Sequence, residues 1–378
     1  MKKALLVATV QSHICQFHKP LVKMLHENGF EVHVAARNNL DVKDGMKLDF
    51  ADKVFDIPFE RSPFHPKNLT AYKALKKVVN NDTYCVIHTN TPVGGILGRL
   101  SARKQRKKGC KVLYTAHGFH FYEGASKKNW LIYYPIEAFM CRYTDGLITI
   151  CDEDYNLSSN KFKVNTFRIH GVGASTTRFA TPENDEIEAL RHKFGYPLNN
   201  KIIICTGELN NNKNQIIAIK AMKKVIERFP DTLLLLAGNG PNEEILKNAI
   251  ADLNLSDNVK LIGYRKDLEN FVKLSDIAIS CSIREGLGLN LIEAMLCRKP
   301  AVATINRGHK ELIREGRNGF LVETTDSDTL AEKIQLLLEN KAMLKSFGEQ
   351  GYEYAQKYTD KSVQLELFDI YSKTNIIN

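Results

Sequence analysis

Ser280-Cys281-Ser282-Ile283-Arg284-Glu285-Gly286-Leu287-Gly288-Leu289-Asn290-Leu291-Ile292-Glu293-Ala294-Met295 sets two glutamates eight residues apart around a glycine-bearing loop that runs into an apolar helical pattern. The backbone N–H groups of Gly288, Leu289 and Asn290 at such a helix start lack intrahelical partners and can point at an anion, with the helix dipole favouring negative charge. Glu285 precedes this phosphate seat and Glu293 lies about one turn inside the helix, so the two carboxylates flank it. A nucleotide-sugar fits the layout, with diphosphate on the amides, ribose hydroxyls on one carboxylate and hexose hydroxyls on the other. Each glutamate alone also has a plain reading. Glu293 suits a solvated helix charge before Cys297-Arg298-Lys299, and Glu285 suits a first-turn charge that complements the dipole. The pair, with its glycines and the strand-like Asp276-Ile277-Ala278-Ile279-Ser280 leading in, favours the ligand site.

On either side of this stretch, apolar runs bounded by turn residues alternate with helical periodicity, the pattern of a parallel sheet wound with helices. Strands are predicted near 3–10, 31–36, 53–57, 84–89, 111–116 and 146–150, and again near 201–206, 232–238, 259–263, 276–281, 300–304 and 319–322. His170-Gly171-Val172-Gly173-Ala174-Ser175, followed by Pro182 and the acidic stretch to Glu188, reads as a hinge between two doubly wound halves. A long helical pattern over about 355–374 closes the chain. Ligands of such sheets bind outside the carboxyl ends of the strands, so functional residues are sought on loops after strands.

The chain has 378 residues, too many for one hydrophobic core and suited to two domains. Its 43% hydrophobic and 25% charged residues are those of an ordinary globular protein. The apolar N-terminal run breaks at Gln11-Ser12-His13 and reads as a buried first strand rather than a signal peptide. No stretch approaches the length of a membrane span. Eight scattered cysteines, with no Cys-x-x-Cys pair, predict free thiols in a reducing cytoplasm. The net charge of +10 lies wholly in the first half, where residues 1–165 hold 25 Lys and Arg against 15 Asp and Glu. Arg99, Arg103, Lys104, Arg106, Lys107, Lys108 and Lys111 form the main group, with Lys73, Lys76 and Lys77 a second. A solvated face and peripheral attraction to an anionic membrane surface both account for it. Nucleic acid is not an expected partner, since no zinc-finger spacing, RNP-type motif or helix-turn-helix is present.

Two further loops carry chemistry. Gly207-Glu208-Leu209-Asn210-Asn211-Asn212-Lys213 follows strand 201–206 and sets one lysine where a cation can neutralise a diphosphate. His117-Gly118 ends strand 111–116, where the sheet would open to a ligand. In the first loop, Gln11 to Pro20, His13 and His18 stand five apart, a spacing poor for a metal on one helix face, so contact with an acceptor hydroxyl or pyrophosphate is expected instead.

The Glu285 to Glu293 segment resembles the signature of the retaining nucleotide-sugar glycosyltransferases of family 4, which have the GT-B fold. The resemblance covers nearly the whole chain, strongest over 201–322. It implies an α/β architecture of two Rossmann-like doubly wound domains facing a central cleft. Residues 1–175 would bind the acceptor, residues 183–354 the nucleotide-sugar donor, and residues 355–378 would form a helix crossing back to the first domain. It further implies catalytic roles for Glu285, Lys213 and His117. Donor contacts would come from Gly207, Arg265, Gly286, Leu287, Gly288, Leu289, Asn290 and Glu293, and acceptor contacts from His13 and His18. Gly263-Tyr264-Arg265-Lys266-Asp267 matches the family's loop beside the nucleotide base. Glu208 departs from the family's usual cation there, and Gly-Glu-Leu-Asn resembles a capsule- and exopolysaccharide-type branch. The expected reaction moves a hexose or N-acetylhexosamine from a UDP-sugar to an acceptor hydroxyl, with a polyprenyl-diphosphate-linked saccharide as first choice of acceptor. No cofactor and no metal are expected, and there is no Asp-x-Asp motif. A nucleotide-sugar 2-epimerase of the same fold and a non-enzymatic sugar-nucleotide-binding protein are the rival readings. A Rossmann dehydrogenase is disfavoured because no glycine occurs between Ala8 and Cys15.

Overall fold

The computed structural model describes residues 1–41 and 45–377. The chain divides into two compact units, Met1–Gly173 together with Asp360–Asn378, and Ala174–Thr359.

The first unit is built on strands β1 (Lys2–Val10), β2 (Phe30–Arg37), β3 (Lys53–Asp56), β4 (Val86–Asn90), β5 (Lys111–Ala116), β6 (Gly146–Thr149) and β7 (Thr166–Arg168). They pair in parallel in the order β3-β2-β1-β4-β5-β6-β7. From Ala4 to Val10 every residue of β1 is buried, because helices cover both faces of the sheet and exclude water from alternate side chains alike. The three residues of β7 are half-buried and form no apolar run, which is why the hydrophobic pattern alone does not reveal them.

The second unit carries β8 (Lys201–Thr206), β9 (Thr232–Ala237), β10 (Val259–Gly263), β11 (Ile277–Ser280), β12 (Ala301–Thr304) and β13 (Gly319–Val322), in the parallel order β10-β9-β8-β11-β12-β13. Its core joins Ile203, Leu234, Leu236 and Ile277 of the sheet to Ile219, Met222 and Leu337 of the flanking helices. In each unit the strand order reverses once, between β1 and β4 and between β8 and β11, and the loops beyond those strand ends are where such sheets take ligands.

Two expectations need correction. The segment after β1 is not a loop. Without glycine it passes directly into a helix, Gln11–Phe17, and a second helix, Lys19–Glu27, follows. Pro20 forces the break between them, since it has no N–H to offer Gln16 and its ring would meet that carbonyl. His18 occupies the break, with φ −119° and a buried ring. The basic group of the first half is likewise not all surface. Arg99 is fully buried, pairs with Glu137 at 2.8 Å and lies 4.0 Å over the Tyr114 ring. Arg106 is held by Asp145 at 2.8 Å.

The closing helix, Asp360–Lys373, is part of the first unit. The His170 N–H donates to Glu366 Oε2 at 2.8 Å, and the Tyr371 hydroxyl meets buried His88 Nδ1 at 2.8 Å. Buried polar pairs of this kind cost more to break than to form, so they fix where the helix sits.

Candidate active site

In the second unit, the loops leaving β8 and β11 meet beyond the point where the strand order reverses. The Ile283 N–H donates to the Asn212 carbonyl at 2.7 Å, and Asn212 Nδ2 donates to the Arg284 carbonyl at 3.0 Å. Asn210 Oδ1 accepts from the Lys213 N–H at 2.9 Å, which turns the lysine toward the other loop. Its ammonium reaches Glu285 Oε1 at 2.5 Å, with both side chains partly open to solvent. Burial alone raises the Glu285 carboxyl, but the Lys213 charge and hydrogen bond outweigh it and hold the group below its ordinary range. The pair is therefore an ionised carboxylate against an ammonium. The Lys213 stem runs over Gly207, 3.2 Å from where a side-chain carbon would stand.

The helix Leu289–Leu296 starts beside this pair. Gly288 caps it at φ +103°, a left-handed conformation open to glycine at little cost. Its carbonyl accepts the Leu291 N–H at 3.0 Å, leaving those of Leu289 and Asn290 without intrahelical partners. Glu293 stands on the second turn, half-buried. Burial, with Glu269 adding repulsion and Arg178 opposing it, pushes its carboxyl up to about 7.

In the first unit, three histidines converge. Their ring nitrogens, on His13, His18 and His117, all lie within 4.8 Å of one another, and His13 Nε2 is 3.2 Å from His117 Nε2. His117 Nε2 is also 3.3 Å from Asn90 Oδ1 at the end of β4. Burial holds all three rings below the ordinary histidine range, His117 at about 4, with His117 depressing His13 and both depressing His18. All three are neutral at pH 7.

Residues 3–151 match the family described as Glycosyl transferase 4-like, and residues 186–354 the family described as Glycosyl transferases group 1. The chain is 42% identical to EpsD of Bacillus subtilis (strain 168), a protein named as a glycosyltransferase, over 98% of this chain and 96% of that one. This chain belongs to the family 4 glycosyltransferases. It is thus a transferase. The Escherichia coli UDP-Gal:alpha-D-GlcNAc-diphosphoundecaprenol alpha-1,3-galactosyltransferase is 27% identical over 85% of the glycosyltransferase described here and 83% of its own length. Anabaena HepE, solved in complex with UDP and glucose, superposes with a TM-score of 0.80 at 21% identity over 99% of this chain and all of its own, a likeness of fold.

Within the glycosyltransferase, the donor-side residues expected from sequence fall into two groups. Lys213, Gly207, Glu285, Gly286, Leu287, Gly288, Leu289 and Asn290 cluster at the ends of β8 and β11, where Asn290 Nδ2 also reaches the Thr206 carbonyl at 3.3 Å. Arg265 follows β10, and its guanidinium is engaged by Asp267 at 3.0 Å and stacked 4.4 Å from the Phe271 ring. His309, to which the sequence reading gives no role, stands at the site. Its Nδ1 lies 2.6 Å from the Thr304 carbonyl and donates to it, leaving Nε2 unprotonated. That Nε2 is buried without a partner among the described residues, and it lies 3.8 Å from where a Gly288 side-chain carbon would be. Burial lowers this ring to about 4, so it too is neutral. A spacing of five was read as poor for a metal on one helix face; His13 and His18 do not share one helix, since the chain breaks at His18.

Proposed function

We propose that this glycosyltransferase moves a hexose or N-acetylhexosamine, with retention of anomeric configuration, from a UDP-sugar to a hydroxyl of a polyprenyl-diphosphate-linked saccharide in surface polysaccharide assembly. The observation that carries the reading is the 2.5 Å pair of Lys213 and Glu285 beside a helix start that no side chain caps, at the end of the strands where the order reverses. A donor diphosphate entering there meets an ammonium and the N–H groups of Leu289 and Asn290, and competes with Glu285 for Lys213. Glu285 then turns to the hexose hydroxyls, and Glu293 accepts from the ribose. The base lies by the loop after β10. On the acceptor side, His13 in the helix after β1, His18 in the break that follows it and His117 at the end of β5 present neutral rings.

In the proposed step the bond from the anomeric carbon to the leaving phosphate oxygen breaks while the acceptor oxygen bonds to the same face. The acceptor proton passes to the departing phosphate oxygen, so no side-chain base is required. Lys213 and the helix amides stabilise the charge that develops on the diphosphate, the role a divalent ion plays in other donor sites. The E. coli relative's name supports the lipid-linked acceptor and the UDP-sugar, and the UDP complex of HepE supports the nucleotide. Work at a cytoplasmic membrane face suits exposed Leu131 and Phe139 on the helix Lys127–Met140, which begins with two lysines. Proton NMR of the product tests the mechanism: an α-linked sugar from an α-linked donor is expected, and a β-linked product contradicts same-face attack.

A further inference from the structure

We propose that His13, His18 and His117 form a binding site for one divalent transition-metal ion, with zinc the ion their chemistry suits. This inference stands on the first unit alone and does not depend on the donor chemistry above.

Three separate pieces of chain build the cluster. His13 comes from the helix that leaves β1, His18 from the break before the next helix, and His117 from the end of β5. Neutral imidazole is the form that binds metal, through the lone pair of one ring nitrogen. Where His13 Nε2 and His117 Nε2 meet at 3.2 Å one ring must donate and the other accept, so that contact has nothing to offer the third ring. The structure shows the shortfall. His18 Nε2 is buried and has no partner among the described residues, while His13 Nε2 lies against His117 Nε2, which also faces Asn90 Oδ1 at 3.3 Å.

A shared ion removes that deficit. Zinc to imidazole nitrogen distances of about 2.0–2.1 Å put two ligands of a tetrahedron about 3.3 Å apart. The His13 to His117 separation is 3.2 Å, already that of two ligands on one ion. The widest separation in the cluster, within 4.8 Å, closes by about 1.5 Å through rotation of a ring to reach the same about 3.3 Å edge. A cavity of about 10 Å³, walled mostly by apolar side chains, adjoins His18 and His117 without reaching His13, so an ion would sit among the ring nitrogens and not in that space. His13 and His117 are only half-buried, which leaves a route in from solvent. The fourth position falls to water or an anionic oxygen, the open arrangement of three protein ligands.

His88 completes the surroundings without competing. Its two ring nitrogens are taken by Tyr371 and Thr115 at 2.8 and 2.7 Å. Three imidazoles with no thiolate or carboxylate in the cluster favour zinc, copper, nickel or cobalt over magnesium or calcium.

Cobalt(II) titration of the full chain after chelator treatment tests the proposal, because tetrahedral cobalt absorbs visible light strongly and octahedral cobalt weakly. One equivalent is expected to bind with a tetrahedral spectrum lacking a thiolate charge-transfer band, and zinc should bleach it. His13→Ala and His18→Ala should each weaken binding by more than the about 10- to 100-fold that loss of an outer-shell partner costs. His26→Ala, altering an exposed ring paired with Asp52, should bind as the unaltered chain does. Absence of a one-equivalent tetrahedral band in the unaltered chain, or its survival in both cluster variants, overturns the site. Should either variant fail to fold, carbethoxylation of the unaltered chain with and without zinc decides. Zinc should shield the half-buried His13 and His117 but not the exposed His26, and equal labelling of His13 and His117 overturns the proposal.

Discussion

Lys213 and Glu285 are the residues whose loss should separate binding from turnover. Removing Lys213 takes away the charge that grows in value as the diphosphate departs, so Lys213→Ala should lower kcat about 10²- to 10³-fold with a smaller effect on KM. Initial rates over a UDP-sugar series measure both, and a variant with unchanged kcat removes Lys213 from the chemistry. Glu293 offers a different handle, because burial raises its carboxyl to about 7 from an ordinary 4.5. Folding without donor therefore favours the protonated form. The resulting penalty is absent below about pH 4.5, grows as pH rises, and is complete above about 7. Glu293→Gln should raise stability above pH 7, by less than the about 3 kcal/mol that the full shift represents given the residue's partial exposure. The ionised carboxylate is the better acceptor for ribose hydroxyls, so UDP-sugar affinity should increase from pH 6 to 8 in the unaltered chain and stay flat in Glu293→Gln. Calorimetric titration at the two pH values checks it, and parallel slopes contradict the ribose contact.

At the scale of elements, one buried polar contact, between Tyr371 and His88, ties the closing helix to the sheet. Tyr371→Phe leaves the buried Nδ1 of His88 without its partner, which should cost about 1–3 kcal/mol and lower the melting temperature by several degrees. An unchanged melting curve means that the Tyr371 to His88 contact adds nothing to the helix's attachment. Elements of the two sheets were largely legible because parallel strands buried on both faces read as unbroken apolar runs, as in Ile202-Ile203-Ile204-Cys205 and Leu233-Leu234-Leu235-Leu236. Thr166-Phe167-Arg168 has no such run and escaped notice. So did the helix Gln11–Phe17, which lies in the stretch read as the first loop, because its polar residues and histidines carry no clear apolar helical pattern.

Over the whole molecule, what the sequence could show of the site depended on how much chain separates its parts. Glu285, the helix-capping Gly288 and Glu293 lie within nine residues and their relation follows from helix geometry. The Lys213 to Glu285 contact spans 72 positions; the loop after β8 marks Lys213 as a cation for a diphosphate, but its pairing with Glu285 is visible only in the structure. The resemblance pointed to His13, His18 and His117 one by one, but their convergence, and the place of His309 at the donor site, appear only once strand ends are brought side by side. The measurement that bears on all of this is UDP release from a panel of UDP-sugars, with and without a polyprenyl-diphosphate-linked saccharide. Release from one UDP-sugar that depends on the acceptor is the predicted result, and no acceptor-dependent release from any of them contradicts the proposed reaction.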